Sequence, residues 1–148
     1  MLASGMIPLA SPHSLIQESL WPNEWLVLVS CIMLNRTKRT QVEKILPEFM
    51  SRWSTPEKYL ESSPAEVADL IRSLGFKNRR EATIRSMTKA YVSKSWSDAR
   101  ELPGIGEYGW RSWKMFFQCD VGSDRPSDGA LGIYYDWIKK HEQRKEDR

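Results

Sequence analysis

Residues 102–108, LPGIGEY, place a proline and two glycines directly before a tryptophan-rich helical pattern. Glycines at 104 and 106 allow a tight turn and let the backbone come close to a partner. A turn that leads straight into a helix exposes several N–H groups, and such a site binds an anion, typically a phosphate. A plain connector between helices is the alternative, since Pro-Gly is common in turns. The paired glycines with apolar Leu102 and Ile105 favour the anion site.

Basic residues cluster in two parts of the same chain. From Arg72 to Lys94 there are seven Lys or Arg and one acid, Glu81. A second, smaller cluster lies at residues 36–39. Such clusters suit a polyanion such as nucleic acid, although a solvated helix face accounts for the charges equally well. The net charge of +3 decides little by itself.

Composition limits the class of protein. A chain of 148 residues with 41% hydrophobic residues is long enough and apolar enough for one folded domain. Cys31 and Cys119 fall in apolar helical patterns, which favours reduced thiols over a disulfide or a metal site. The apolar run at 25–34 is too short to span a membrane, and the first residues lack signal-peptide features. We expect an intracellular protein, nuclear if eukaryotic and otherwise in the cytoplasm or nucleoid.

Helices must position these residues, because the sequence has few strand signals and repeats helix caps and first-turn prolines. The run at 24–34 is apolar nearly all round, which predicts a central helix. The sequence therefore predicts an all-α fold, with an N-terminal extension at 1–10, one domain at 11–141 and a charged tail at 142–148. The predicted helices cover residues 11–20, 24–34, 39–53, a short segment from 56, 65–74, 79–92, 107–119 and 127–141.

Five motifs carry a resemblance to a known family. LPGIGEYG closely resembles the helix-hairpin-helix element of the DNA base-excision glycosylases of the endonuclease III superfamily. Together, the motifs look like the catalytic domain of the methyl-CpG-binding-domain mismatch glycosylases, which remove thymine or uracil opposite guanine. In chain order they are SPHSLIQESLW (11–21), LNRT (34–37), SLGF (73–76), GIGEYG (104–109) and SDGALGIYYDW (127–137). The resemblance implies a compact helix-hairpin-helix glycosylase fold whose hairpin, at Gly104 and Gly106, binds a DNA phosphate through its amides.

The resemblance also implies two catalytic positions. Asp128 matches the family aspartate, whose carboxylate would stabilise positive charge on the sugar and orient water; an ordinary first-turn aspartate is the alternative. Tyr108 stands where bifunctional relatives carry a lysine that forms a Schiff base. A tyrosine cannot form one, so we expect a monofunctional enzyme. Tyr108 would line the pocket of the flipped nucleotide, or else pack behind the hairpin.

Further positions match the family's DNA contacts. Gln17 matches the residue that reads the flipped pyrimidine, since an amide both donates and accepts; a surface glutamine is the alternative. Leu34, Asn35 and Arg36 are similar to the loop that fills the gap left by the flipped base, although Arg36 is also well placed as a helix C-terminal cation. Phe76 matches an apolar wedge beside the unpaired guanine, or a hydrophobic helix-cap contact. Backbone phosphate would be contacted by Lys77, Arg79 and Arg80.

Departures from the family narrow the expectation. Cys31 falls where adenine-removing relatives carry a catalytic glutamate, which argues against adenine. The four cysteines of the family's iron–sulfur cluster are missing. Gly129 and Ala130 replace a basic pair after the aspartate, which puts DNA affinity and substrate preference in doubt. We expect no metal or organic cofactor for the chemistry, while the resemblance allows a structural monovalent cation at the hairpin.

The expected function is excision of thymine or uracil from double-stranded DNA, opposite guanine, by a monomer that leaves an abasic site. One alternative keeps the enzyme class and changes the base to another modified pyrimidine, such as hydroxymethyluracil. The other is a non-catalytic helix-hairpin-helix module that binds duplex DNA without releasing a base. The position of Asp128 favours an enzyme over the second alternative.

Overall fold

The computed structural model of the protein describes residues 8–127 and 129–146, with side chains through residue 141. Within these residues the regular structure is entirely helical, which confirms the all-α prediction. Two short 3₁₀ turns, Arg72–Leu74 and Ala99–Glu101, connect neighbouring helices. The helices are α1 Ile16–Leu20, α2 Glu24–Leu34, α3 Arg39–Arg52, α4 Pro56–Glu61, α5 Pro64–Leu70, α6 Lys77–Ser93, α7 Glu107–Phe117 and α8 Gly129–Glu146.

Helix α2 forms the centre of the fold, as its apolar sequence predicts. Every residue from Trp25 to Met33 is buried, and α2 packs against α1, α3, α6 and α7. Its first turn is capped by Asn23, whose side chain accepts from the Leu26 N–H at 3.0 Å. Its last turn points its backbone carbonyls towards the loop at 34–36. A buried, capped helix therefore fixes the direction in which that loop leaves the core.

Three predicted helix boundaries are wrong, and one of them is the end of the last helix, which runs to Glu146 rather than to residue 141. The first helix begins at Ile16 rather than at Ser11, because the Glu18 carboxylate accepts from the Ser11 N–H at 2.7 Å and from the Leu15 N–H at 3.1 Å. Those bonds hold residues 11–15 as a folded loop. The helix expected over 65–74 ends at Leu70, and a 3₁₀ turn follows it.

The two cysteines differ in burial. Cys31 is buried and Cys119 half-buried, and both remain reduced thiols in the structure. Burial raises the pKa of the Cys119 thiol. Across the described residues, no helix has the length and apolar character needed to cross a bilayer.

Candidate active site and DNA interface

A cavity of about 570 Å³ opens where α1, the end of α2, the hairpin and the start of α8 meet. It brings together residues from distant parts of the sequence. Gln17 comes from α1, Arg36 follows α2, Tyr108 lies in the first turn of α7 and Ala130 lies in the first turn of α8. Seven of the sequence-predicted positions thus line one cavity: Gln17, Leu34, Asn35, Arg36, Gly104, Gly106 and Tyr108.

Gln17 is a buried cavity residue, with 1% of its surface exposed, rather than a surface glutamine. Its Nε2 donates to the Tyr108 hydroxyl at 2.7 Å and to the Ser112 hydroxyl at 3.1 Å. These bonds tie α1 to α7 and fix the plane of the amide. No sequence motif identifies Ser112, but its position four residues after Tyr108 places it on the same helix face.

The hairpin is built from two buried apolar anchors and one glycine with a positive φ. Leu102 and Ile105 are buried, and the Ile105 N–H donates to the Leu102 carbonyl at 3.2 Å to close the turn. Gly104 has φ +81, and a Cβ there would lie 2.3 Å from Cγ2 of Thr83 on α6. Both the conformation and the close packing require glycine.

Helix α7 begins immediately after the hairpin, with Gly106 as its N-cap. The first N–H groups of a helix have no acceptor within it, and the helix dipole adds positive potential there. Gly104, Gly106 and Glu107 are all exposed. This end of α7 can therefore bind an anion that approaches from solvent.

Asp128, the predicted catalytic aspartate, lies outside the described residues. Helix α8 begins at the next residue, Gly129, and Ala130 lines the cavity. The three other aspartates of this region are each engaged by a cation. Those pairs are Asp120 with Lys114 at 3.1 Å, Asp124 with Arg111 at 3.2 Å, and Asp136 with Arg125 at 3.1 Å.

The pair on Asp124 also shapes the loop that leads to α8. Arg111 has a buried side chain and donates to both the carboxylate and the backbone carbonyl of Asp124. Lys114 holds the pKa of Asp120 below its ordinary value, with help from the Gly122 N–H. The loop from 120 to 127 is thereby attached to α7, the helix that also carries Tyr108.

Two loop tips flank a second cavity of about 420 Å³. Arg36, with φ +60, follows the end of α2, and Phe76, with φ +48, precedes α6. Phe76 is 67% exposed, so it is not buried in a helix-cap contact. We call residues 34–36 the gap loop and residues 75–76 the wedge loop. Both present a side chain to solvent on the hairpin's side of the molecule, since Gly104 lines the same cavity.

Arg80 differs from the expected surface contact to phosphate. Its side chain is 8% exposed, and its guanidinium donates to backbone carbonyls at the end of α2 and before α6. Burial lowers the pKa of Arg80. Lys77 and Arg79 are exposed and remain candidates for that contact. Among the described residues, no group of three or more His, Cys, Asp or Glu side chains is arranged to hold a metal ion.

Comparison with known proteins agrees with this geometry. The family model described as HhH-GPD superfamily base excision DNA repair protein matches residues 29–146. The Methyl-CpG-binding domain protein 4-like protein of Arabidopsis thaliana is 28% identical over 133 residues, which is 90% of this chain and 30% of that protein. The thymine-DNA glycosylase of Aeropyrum pernix is 30% identical over 91 residues, which is 57% of this chain and 41% of that protein.

A solved structure shares the fold. That of a thermostable thymine-DNA glycosylase superposes with a TM-score of 0.59 at 22% identity, covering 64% of this chain and 46% of that one. The chain thus spans between about a third and a half of the length of the proteins it resembles.

Proposed function

Because the chain belongs to the HhH-GPD superfamily of base excision DNA repair proteins, we propose that it is a monofunctional DNA glycosylase. It flips thymine or uracil, paired with guanine, out of double-stranded DNA and hydrolyses the N-glycosidic bond. One observation carries the proposal: Gln17 and Tyr108 are hydrogen-bonded in a cavity that also borders the hairpin and Arg36. The thymine-DNA glycosylases among its relatives support the choice of base.

Gln17 would read the flipped base. Its amide nitrogen is engaged by the hydroxyls of Tyr108 and Ser112, so its carbonyl oxygen is the group available to accept a hydrogen bond from a ligand. Thymine and uracil donate from N3–H, whereas cytosine has an acceptor at N3. The amide held in this orientation would favour the two keto pyrimidines over cytosine.

Asp128 would support the bond cleavage. As the bond between C1′ and the base breaks, the base leaves with the electron pair, and positive charge develops on the sugar. A carboxylate beside C1′ stabilises that charge and can take a proton from the attacking water, whose oxygen forms the new bond to C1′. The base, once protonated, and an abasic site are the products. Ala130, two residues after Asp128, lines the cavity and supports this placement.

Tyr108 distinguishes hydrolysis from strand cleavage. A lyase needs an amine that forms a Schiff base with the sugar, and the phenol at this position cannot form one. The Tyr108 hydroxyl accepts from Gln17 instead. The phosphodiester backbone would therefore stay intact until alkali or another enzyme cuts it.

The remaining surface would hold the duplex open. The first amides of α7 and the hairpin would bind one phosphate, with Lys77 and Arg79 as further backbone contacts. Arg36 would enter the gap left by the base, and the exposed ring of Phe76 would stack beside the unpaired guanine. The chemistry needs no metal in this proposal, and a monovalent cation at the hairpin would have a structural role only.

The test uses end-labelled duplexes with one G·T, G·U, A·U or G·C pair, each incubated with protein and divided, with alkali added to one half. We expect cleavage of G·T and G·U only after alkali, lost in Asp128→Asn and retained in Asp136→Asn, which makes the same chemical change elsewhere on the chain. Binding without any alkali-labile product would leave a DNA-binding module or a modified pyrimidine outside the panel. Cleavage without alkali would contradict the assignment of Tyr108.

A further inference from the structure

The Arg80 side chain lies between the gap loop and the wedge loop and contacts the backbone of both. On one side, its Nη1 donates to the carbonyl oxygens of Ile32 and Asn35, each at 3.0 Å. On the other side, its Nε donates to the Gly75 carbonyl and its Nη2 to the Leu74 carbonyl, each at 3.3 Å. A single guanidinium thus joins two segments that are about forty residues apart.

Two of these carbonyls belong to the peptide bonds that lead into the loop tips. The Asn35 carbonyl is in the peptide unit before Arg36, and the Gly75 carbonyl is in the unit before Phe76. Arg36 and Phe76 both have positive φ, a conformation that persists only where the surroundings impose it. Fixing the preceding peptide plane is one way to impose it.

Only arginine can make this set of bonds. Its five N–H donors point outward in one plane, whereas the three donors of lysine radiate from one nitrogen. The charge of Arg80 is buried, and no ion pair to it occurs among the described residues. The carbonyls at the C-terminal end of α2 compensate that charge instead, where the helix dipole is negative.

We propose that Arg80 is a positioning residue that couples the gap loop to the wedge loop, so that Arg36 and Phe76 enter DNA as one unit. This inference rests on the proposed function, because it assigns both tips to the opened duplex. It assigns no contact between Arg80 itself and DNA. Loss of Arg80 would leave each tip free to move independently, and neither would hold the unstacked state by itself.

Arg85 provides a matched control. It lies on the same helix, also has a largely buried side chain, and also donates to backbone carbonyls, those of Leu60 at 3.5 Å and Ser62 at 3.2 Å. It also pairs with Glu81 at 3.1 Å. Those bonds hold the turn between α4 and α5 rather than a loop at the DNA interface. Arg80→Lys and Arg85→Lys therefore make the same chemical change with different predicted consequences.

The experiment uses a duplex with 2-aminopurine next to a tetrahydrofuran abasic analogue opposite guanine. Its fluorescence rises when the loop tips unstack the neighbouring base, and it requires no base excision. At saturating protein, we expect Arg80→Lys to lose at least about four-fifths of the wild-type fluorescence increase, while Arg85→Lys retains at least half. Thermal melting of both variants measures the structural cost, which we expect to be similar.

A second measurement avoids the buried site. Arg36→Ala and Phe76→Ala change exposed tips and leave the core untouched, so both should fold. If the tips act as one unit, their effects on the unstacking equilibrium combine non-additively by more than about threefold, as coupled sites do. In the Arg80→Lys background, the same two changes should add to within about twofold.

The outcomes separate the two proposals. Three results would each overturn the role of Arg80. The first is an equal fluorescence increase with Arg80→Lys and Arg85→Lys. The others are additive effects of Arg36→Ala and Phe76→Ala in the otherwise wild-type chain, and no fluorescence increase with the wild-type protein. Wild-type protein that unstacks the probe in the expected pattern but releases no base from G·T or G·U would support the coupling and refute the proposed excision.

Discussion

Replacing Gly104 with alanine should destabilise the hairpin through two separable effects. The first is conformational: φ is +81, and a residue with a Cβ in the left-handed region costs about 1–2 kcal/mol. The second is steric: the new Cβ would lie 2.3 Å from Cγ2 of Thr83, and overpacking of this kind costs about 1–3 kcal/mol. Together they give about 2–5 kcal/mol, which lowers the melting temperature of a domain this size by about 10 °C.

Thr83→Ser separates the two effects. Serine lacks Cγ2 but keeps the hydroxyl that donates to the Arg79 carbonyl at 3.0 Å. The nearest remaining atom to the alanine Cβ would then be Cδ1 of Ile32 at 3.5 Å, an ordinary contact. In the Thr83→Ser background, Gly104→Ala should therefore cost only the conformational part, about 1–2 kcal/mol.

Gly106→Ala is the control within the same hairpin. Gly106 has φ −91, and a Cβ there meets nothing within 4 Å, so only the preference of an N-cap for glycine over alanine is lost, about 0.5–1 kcal/mol, and the melting temperature should fall much less than for Gly104→Ala. The affinity of the Gly106→Ala protein for an abasic duplex should fall, because the new methyl group would occupy the face on which a phosphate would approach. Thermal unfolding and fluorescence anisotropy measure the two quantities. A Gly104→Ala cost that is unchanged by Thr83→Ser would refute the steric argument.

Three further predictions concern other parts of the fold. Phe76→Ala should change the free energy of unfolding by less than about 0.5 kcal/mol, since the ring is 67% exposed, yet slow base release from G·U duplexes. Glu81→Gln should cost about 3 kcal/mol in urea unfolding, because it leaves the buried Arg85 without its ion pair. The N–H groups of residues 97 and 98 hold the pKa of Glu101 below its ordinary 4.5. The protection of these two N–H groups against hydrogen exchange should therefore be full above pH 4.5 and fall in acid. Glu101→Gln should remove this dependence of the protection on pH.

Local patterns allowed most of the helices and the hairpin to be predicted. Caps, first-turn prolines and the apolar run at 24–34 are short-range signals, and they set the start of α2 and of α4 as expected. The late start of α1 depends on Glu18, whose carboxylate serves backbone N–H groups several residues upstream. The hydrophobic periodicity of the sequence does not indicate this late start, because it depends on the loop at 11–15 folding back over Glu18.

In the candidate site, too, local motifs predict individual residues, whereas their arrangement depends on how the helices pack. Gln17, Tyr108 and Arg36 were identified from motifs, but their common cavity depends on α1, α2 and α7 packing together. Arg80 was predicted to contact phosphate because it lies in a basic stretch, and a count of charges cannot distinguish a guanidinium in solvent from one that caps buried carbonyls. Ser112 has no motif at all and becomes visible only through its bond to Gln17.

Mutations should separate the stability of this fold from its proposed opening of DNA, because the exposed loop tips and the buried groups that hold them are different residues. The loop tips Arg36 and Phe76 are exposed and left-handed, so changing their side chains would remove the proposed DNA contacts without opening the core. The groups that hold them, the Arg80 guanidinium and the end of α2, are buried, so changing those alters both quantities. A substitution that lowers base release and leaves the melting temperature unchanged therefore points to a tip. One that lowers both points to the support beneath it.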